Sequence, residues 1–267
     1  MTKASGLALL CALWLLGCSS APERDYQITT YQRQAAAWLA QGDRKRQQGA
    51  YQQALEYYDK AYRYASKRHD AEQMGLARLK QAAVNIRQGQ LERAEQRIVQ
   101  AEVFARFEQT ELAPAIDFMR SKLAFKRGEQ AQALALVAKL QTQFSGQTEK
   151  HIYYRWVGWQ YAPASLNWAQ AEQDIVQLAK LKADKSLSNV EIQSFVLYHN
   201  ALWRTATGQS GVEPALDAAI AHFASLELTN WLVACFKVAV QYYSTAADAE
   251  RAQYYQTRLT ELSQTDD

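Results

Sequence analysis

The sequence predicts an all-α fold, a right-handed α-solenoid of about six antiparallel helix pairs with a period near 40 residues. Gly (11) and Pro (4) are scarce among 267 residues and the hydrophobic share is 48%, which favours helices over a turn-rich β sandwich or a disordered chain. Small residues recur at long range: Ala54, Ala94, Ala133, Ala171, Ala215 and Ala252 are separated by 40, 39, 38, 44 and 37 residues. That is the spacing of stacked helical hairpins, each burying its apolar stripe against the next. With 30 Lys+Arg against 27 Asp+Glu, the net charge of +3 is too small for a dedicated nucleic-acid binder, and no nucleic-acid partner is expected.

Residues 1–17 read as a signal peptide, with Lys3 ahead of the apolar run Leu7 to Leu16. That run is half the roughly 20 residues needed to span a bilayer, and no later apolar stretch reaches that length without charges. Leu15-Leu16-Gly17-Cys18 resembles the lipobox of bacterial lipoproteins. The resemblance implies cleavage after Gly17, a diacylglyceryl thioether on Cys18 and a further acyl chain on the new amine, and multiple chains give durable anchoring. An ordinary signal peptide cut near Ala21 is the alternative. In related lipoproteins Asp after the lipidated Cys accompanies inner-membrane retention; Ser19 stands there, so the expected location is the periplasmic face of an outer membrane. Residues 18–27 form the lipidated tether, whose nine residues after Cys18 reach about 30 Å when extended. Cys11 leaves with the signal, so Cys235 is the one thiol remaining, expected as a core residue within Trp231 to Phe236.

Residues 28–263 form one domain of repeats, with 264–267 as a tail. The first unit contains Trp38, Gly42, Gly49, Tyr51, Ala54, Tyr58 and Ala61. A small Ala54 lets two antiparallel helices approach closely, Gly49 supplies a left-handed turn between them, and the aromatics fill the next layer. Lys at position 54 would break that contact. The second unit repeats the pattern with Gly89, Leu91, Ala94, Ile98 and Ala101, and the third with Gly128, Ala133, Val137 and Leu140. Fainter units follow at Trp168-Ala171-Ile175-Leu178, Val212-Ala215-Ala219-His222 and Ala249-Ala252-Gln256-Leu259. The first unit resembles a tetratricopeptide repeat, in which an aromatic and a Gly mark the first helix and Gly, Tyr, Ala, aromatic and Ala mark the turn and second helix. The period exceeds the usual 34 of that family, so a longer-helixed variant or a HEAT-like one stays open.

Catalytic patterns are absent from the sequence: there is no Gly-x-Ser-x-Gly, no phosphate loop and no His-Glu-x-x-His. His69, His151, His199 and His222 show no metal-ligand spacing, so no catalysis, metal or cofactor beyond the lipid is expected. Helical arrays offer a concave face lined by the first helix of each pair. The repeat resemblance places Asp43, Arg46, Gln47, Arg87, Lys122, Lys126, Tyr153, Trp156, Asn200, Arg204, Lys237 and Gln241 on that face. Six of these twelve are basic and one is acidic, a lining suited to carboxylates. The stretch His151 to Tyr161 is the densest in aromatics, readable as a partner anchor or as packing within the stack. Asp43-Arg44-Lys45-Arg46 could touch anionic lipid or peptidoglycan, but reads more simply as a solvated face. The expected function is a membrane-anchored scaffold or adaptor for an envelope complex, binding an acidic or C-terminal peptide segment. The alternatives are an envelope enzyme and a structural anchor that touches peptidoglycan directly.

Overall fold

The computed structural model describes residues 30–264; the signal peptide, Cys18, the tether and the last three residues of the tail lie outside them. The described residues form twelve α-helices. They are α1 (Thr30–Gln47), α2 (Tyr51–Ser66), α3 (Ala71–Arg87), α4 (Leu91–Phe107), α5 (Ala113–Lys126) and α6 (Gln130–Gln143). The second half comprises α7 (Thr148–Tyr161), α8 (Trp168–Ala183), α9 (Val190–Thr207), α10 (Val212–Ser225), α11 (Thr229–Thr245) and α12 (Ala249–Gln264). Among them, neighbours in sequence pack on one another, except that α7 and α8 meet chiefly through side chains, and α3 also touches α1 and α5 while α9 touches α7 and α11. The protein is therefore all-α, built from sequential helix contacts.

Each repeated alanine sits near the start of an even-numbered helix. Ala54, Ala94, Ala133 and Ala171 are fully buried, Ala215 nearly so and Ala252 half-buried. Apolar residues a turn or two further on complete the stripe, as with Tyr58 and Ala61, Ile98 and Ala101, or Val137 and Leu140. Between α1 and α2, Gly49 has φ +79°, a conformation that costs an L side chain strain. The same left-handed conformation is held without glycine by His69, Lys185, Glu227 and Ala247, while Gly208 and Gly211 hold it between α9 and α10, so a glycine marks some of the turns and not others. The wider 171 to 215 spacing reflects the 18-residue α9 and the connector 184–189 before it. Asp70, Asn167 and Asn189 cap α3, α8 and α9, each accepting a backbone N–H of the first turn at 2.9–3.1 Å.

Gly42 marks how closely α1 and α2 approach. A Cβ there would lie 2.4 Å from Cε1 of Tyr58, a ring that is fully buried and fixed through its hydroxyl to Asp43 at 2.8 Å. Overpacking of this kind costs about 1–3 kcal/mol, against a helix-propensity gain of about 1 kcal/mol for Gly→Ala. Gly42→Ala is therefore expected to lower stability by about 1 kcal/mol in urea denaturation; a stabilised variant would show that the ring can move aside.

Candidate partner-binding face

Four of the twelve expected residues converge. At the end of α1, the Arg46 guanidinium donates to Glu191 Oε1 at 3.1 Å and Gln47 Nε2 donates to the same oxygen at 2.7 Å. Glu191 stands in the first turn of α9, so the first helix and the ninth meet here. Asn230 in α11 donates to the Gln47 carbonyl at 2.9 Å, which draws the eleventh helix to the same point. Lys122 of α5 lies partly buried, its Nζ 4.2 Å above the Phe118 ring. Burial, with Arg46 nearby and Glu191 opposing, pushes its ammonium down to about 8. Burial works against the charge on Arg46 too, but Glu191, Tyr58 and Asp43 outweigh it and raise its pKa.

Tyr153 of α7 packs edge-on between Phe118 (5.5 Å) and Phe195 (5.2 Å), and burial raises its phenol pKa far above the ordinary value. The aromatic contacts continue from Phe195 to His199 at 4.0 Å, from His199 to Tyr198 at 5.1 Å and from Tyr198 to Trp231 at 5.1 Å. Two cations and an amide thus gather round one carboxylate over an aromatic floor. Charge-assisted hydrogen bonds of this kind are short and directional, and with the Glu191 side chain 52% exposed the pair is open to solvent and to exchange of its carboxylate.

None of the other expected residues bonds to Glu191, although Asp43 stands 4.0 Å from Arg46. Asp43 is engaged within the fold, accepting from Lys80 Nζ at 2.7 Å and from the Tyr58 hydroxyl. Arg87, Lys126, Lys237 and Gln241 are exposed, and Arg87 lies close enough to Tyr198 to influence it electrostatically. Trp156 corrects the expectation: it is fully buried, stacked on Trp203 at 5.3 Å and donating from Nε1 to Asp174 at 2.9 Å. The reason is that α7 is buried on several faces, at Ile152, Tyr154, Trp156, Val157, Trp159 and Tyr161, so its indole turns to α8. Asn200 and Arg204 are corrected likewise. Asn200 is buried and accepts from Arg204, whose guanidinium reaches Glu172 at 3.0 Å and lies over Trp168. Among the residues of α9 that meet first helices are Glu191, Phe195, Tyr198 and Trp203, none of which the repeat register points to.

Cys235 is fully buried, and burial pushes its thiol up to about 12, unsuited to nucleophilic work. A buried Ser194–His222 pair lies at 2.9 Å. Ser194 also donates to the Val190 carbonyl, which leaves His222 Nε2–H to donate to Ser194 Oγ, while His222 Nδ1 meets no hydrogen-bond partner. The base of a triad would be oriented at that nitrogen by a carboxylate. Among the described residues, no group of three His, Cys, Asp or Glu is placed to hold a metal ion, and no helix is long and apolar enough to cross a membrane. No protein-family model, curated protein or solved structure matches the chain.

Proposed function

We propose that the chain is an outer-membrane lipoprotein, anchored through Cys18 and facing the periplasm, whose body is a right-handed tetratricopeptide-like solenoid acting as an adaptor for a cell-envelope complex. In this reading the first helices of the pairs turn inward, and the inner face takes an acidic or C-terminal segment of an envelope protein. The observation that carries the reading is the grip of Arg46 and Gln47, with Lys122 close by, on a carboxylate. Glu191 supplies that carboxylate within the chain; a partner supplies it by displacing Glu191. The six buried or half-buried alanines at the starts of the second helices support the repeat architecture.

The test is fluorescence anisotropy with a labelled Glu-rich peptide ending in a free carboxylate. Glu191→Gln removes the internal competitor and is expected to tighten binding several-fold. Arg46→Gln with Lys122→Gln is expected to weaken it about tenfold or more, since a hydrogen bond to a charged group contributes about 1.5–3 kcal/mol. Unchanged affinity in both variants, or no binding by any form, would rule the reading out. Localisation is tested separately by membrane fractionation of Cys18→Ala, which is expected to release a folded soluble chain.

A further inference from the structure

The first helix pair has two sides, and the second pair covers one of them. On that side α2 turns Tyr62 to Arg78 of α3 and Phe104 of α4, while α1 turns Asp43 to Lys80 of α3. The opposite side carries an aromatic ladder with two rungs. In one rung Trp38 stacks on Tyr57 at 5.3 Å, with Lys60 Nζ 4.6 Å from the indole and 5.2 Å from the phenol ring. Seven residues along each helix, Tyr31 meets Tyr64 at 6.1 Å, with Lys67 Nζ 5.1 and 4.8 Å from the two rings. Two helical turns, about 10 Å, separate the rungs. Tyr31 is 44% exposed, and Lys60 and Lys67 are exposed.

The end of a helical array is ordinarily polar, because nothing stacks on it. Four aromatic rings with ammonium groups over them have a different chemistry. Amphipathic rings settle at headgroup depth, and lysines reach from apolar stems to lipid phosphate. The position fits as well. Tyr31 is the second residue of α1, beside the point where the tether from Cys18 would arrive. A tether reaching about 30 Å is about as long as the first hairpin, so this pair cannot stray far from an anchored lipid.

We propose that Tyr31, Trp38, Tyr57, Tyr64, Lys60 and Lys67 form a docking surface for the phospholipid headgroup layer. This rests on the lipid-anchor reading and adds a second contact, which fixes how the array stands on the membrane. A single tether lets the body tumble; a tether plus a two-rung face holds the first helix pair against the bilayer and directs the remaining pairs into the periplasm.

The test uses the processed full chain in vesicles of phosphatidylethanolamine and phosphatidylglycerol, with and without brominated acyl chains. Brominated lipid is expected to quench part of the tryptophan emission, and Trp38→Phe to lose that part. Lys60→Glu with Lys67→Glu is expected to reduce it while helical circular dichroism and melting stay as in the parent. Equal quenching in the parent and in Trp38→Phe overturns the proposal. So does Trp38-dependent co-sedimentation with peptidoglycan sacculi without lipid quenching, which assigns the ladder to a glycan instead. Lipidation is read independently from the intact mass of the mature chain. If Cys18 carries no lipid, the anchor reading falls alone. Quenching of the unanchored chain mixed with the same vesicles then decides the ladder: a Trp38-dependent signal keeps it and none overturns it.

Discussion

Asp174→Ala is expected to destabilise the protein by about 3–5 kcal/mol, the cost of removing one partner from a buried charged cluster. Asp174 is fully buried in α8. It accepts from Arg155 Nη1 at 2.6 Å, Trp156 Nε1 at 2.9 Å and Gln170 Nε2 at 3.1 Å. Burial raises its carboxyl pKa, and Arg155, Gln170 and Trp156 act against that rise. Without the carboxylate, a guanidinium whose side chain is only 19% exposed and a fully buried indole N–H both lose their acceptor, and water has little access to replace it. At roughly 2–4 °C per kcal/mol for a chain of this size, the melting temperature falls by roughly 10 °C. Asp174→Asn keeps an acceptor for the indole but not the charge for Arg155, and should fall between. Glu261→Ala, which breaks the exposed Arg258 pair, should stay within about 0.5 kcal/mol. Urea denaturation followed by tryptophan emission separates these cases. A loss in Asp174→Ala no larger than in Glu261→Ala would mean that the cluster is not what joins α7 to α8.

The same cluster explains where sequence reading stops. The helix pairs were legible because their signal is local and periodic: a small residue where two helices cross, with apolar residues three or four positions on, recurs whatever lies on the far side of each helix. Which way a first helix faces is a different question. In α7 apolar and aromatic residues occupy several faces, so no single stripe marks the inside, and Trp156 reads as an anchor until Asp174 is seen holding it from α8. In α9 the choice between Asn200 with Arg204 and Glu191 with Tyr198 depends on which neighbours each side meets. Arg46 and Gln47 were found by the repeat register, but their partner lies 145 and 144 residues away. No local pattern announces that meeting, because it joins helices far apart in the chain. The turns show the reverse case: Gly49, Gly89 and Gly128 were visible as residue types, while the left-handed Ala247 was not.

Lowering the pH from 6.5 to 4 is expected to remove about 3 kcal/mol of stability through His199 alone. His199 lies in α9, 5% exposed, its ring 4.0 Å from Phe195 and 5.1 Å from both Tyr198 and Trp203. Its Nδ1 donates to the Phe195 carbonyl at 2.8 Å, since a carbonyl can only accept. Burial pushes the imidazole from 6.5 down to about 4, the Phe195 carbonyl opposing only in part. The folded protein thus keeps this histidine neutral, whereas the unfolded chain protonates it near its ordinary value. Between those two values the unfolded state binds a proton that the folded state does not, so acid favours unfolding. The contribution is whole above pH 6.5, falls steadily as the pH drops, and stops changing below 4, where both states are charged. His222 adds in the same direction, because burial and nearby Lys182 also lower its pKa. His199→Phe keeps a ring of similar shape in the aromatic cluster and cannot take up the proton. Comparing urea midpoints of parent and variant across this range cancels the titration of the carboxylates they share. The parent should lose stability more steeply, with the gap opening below pH 6.5. Parallel curves would show that His199 is protonated in the folded state and that water reaches the aromatic cluster of α9.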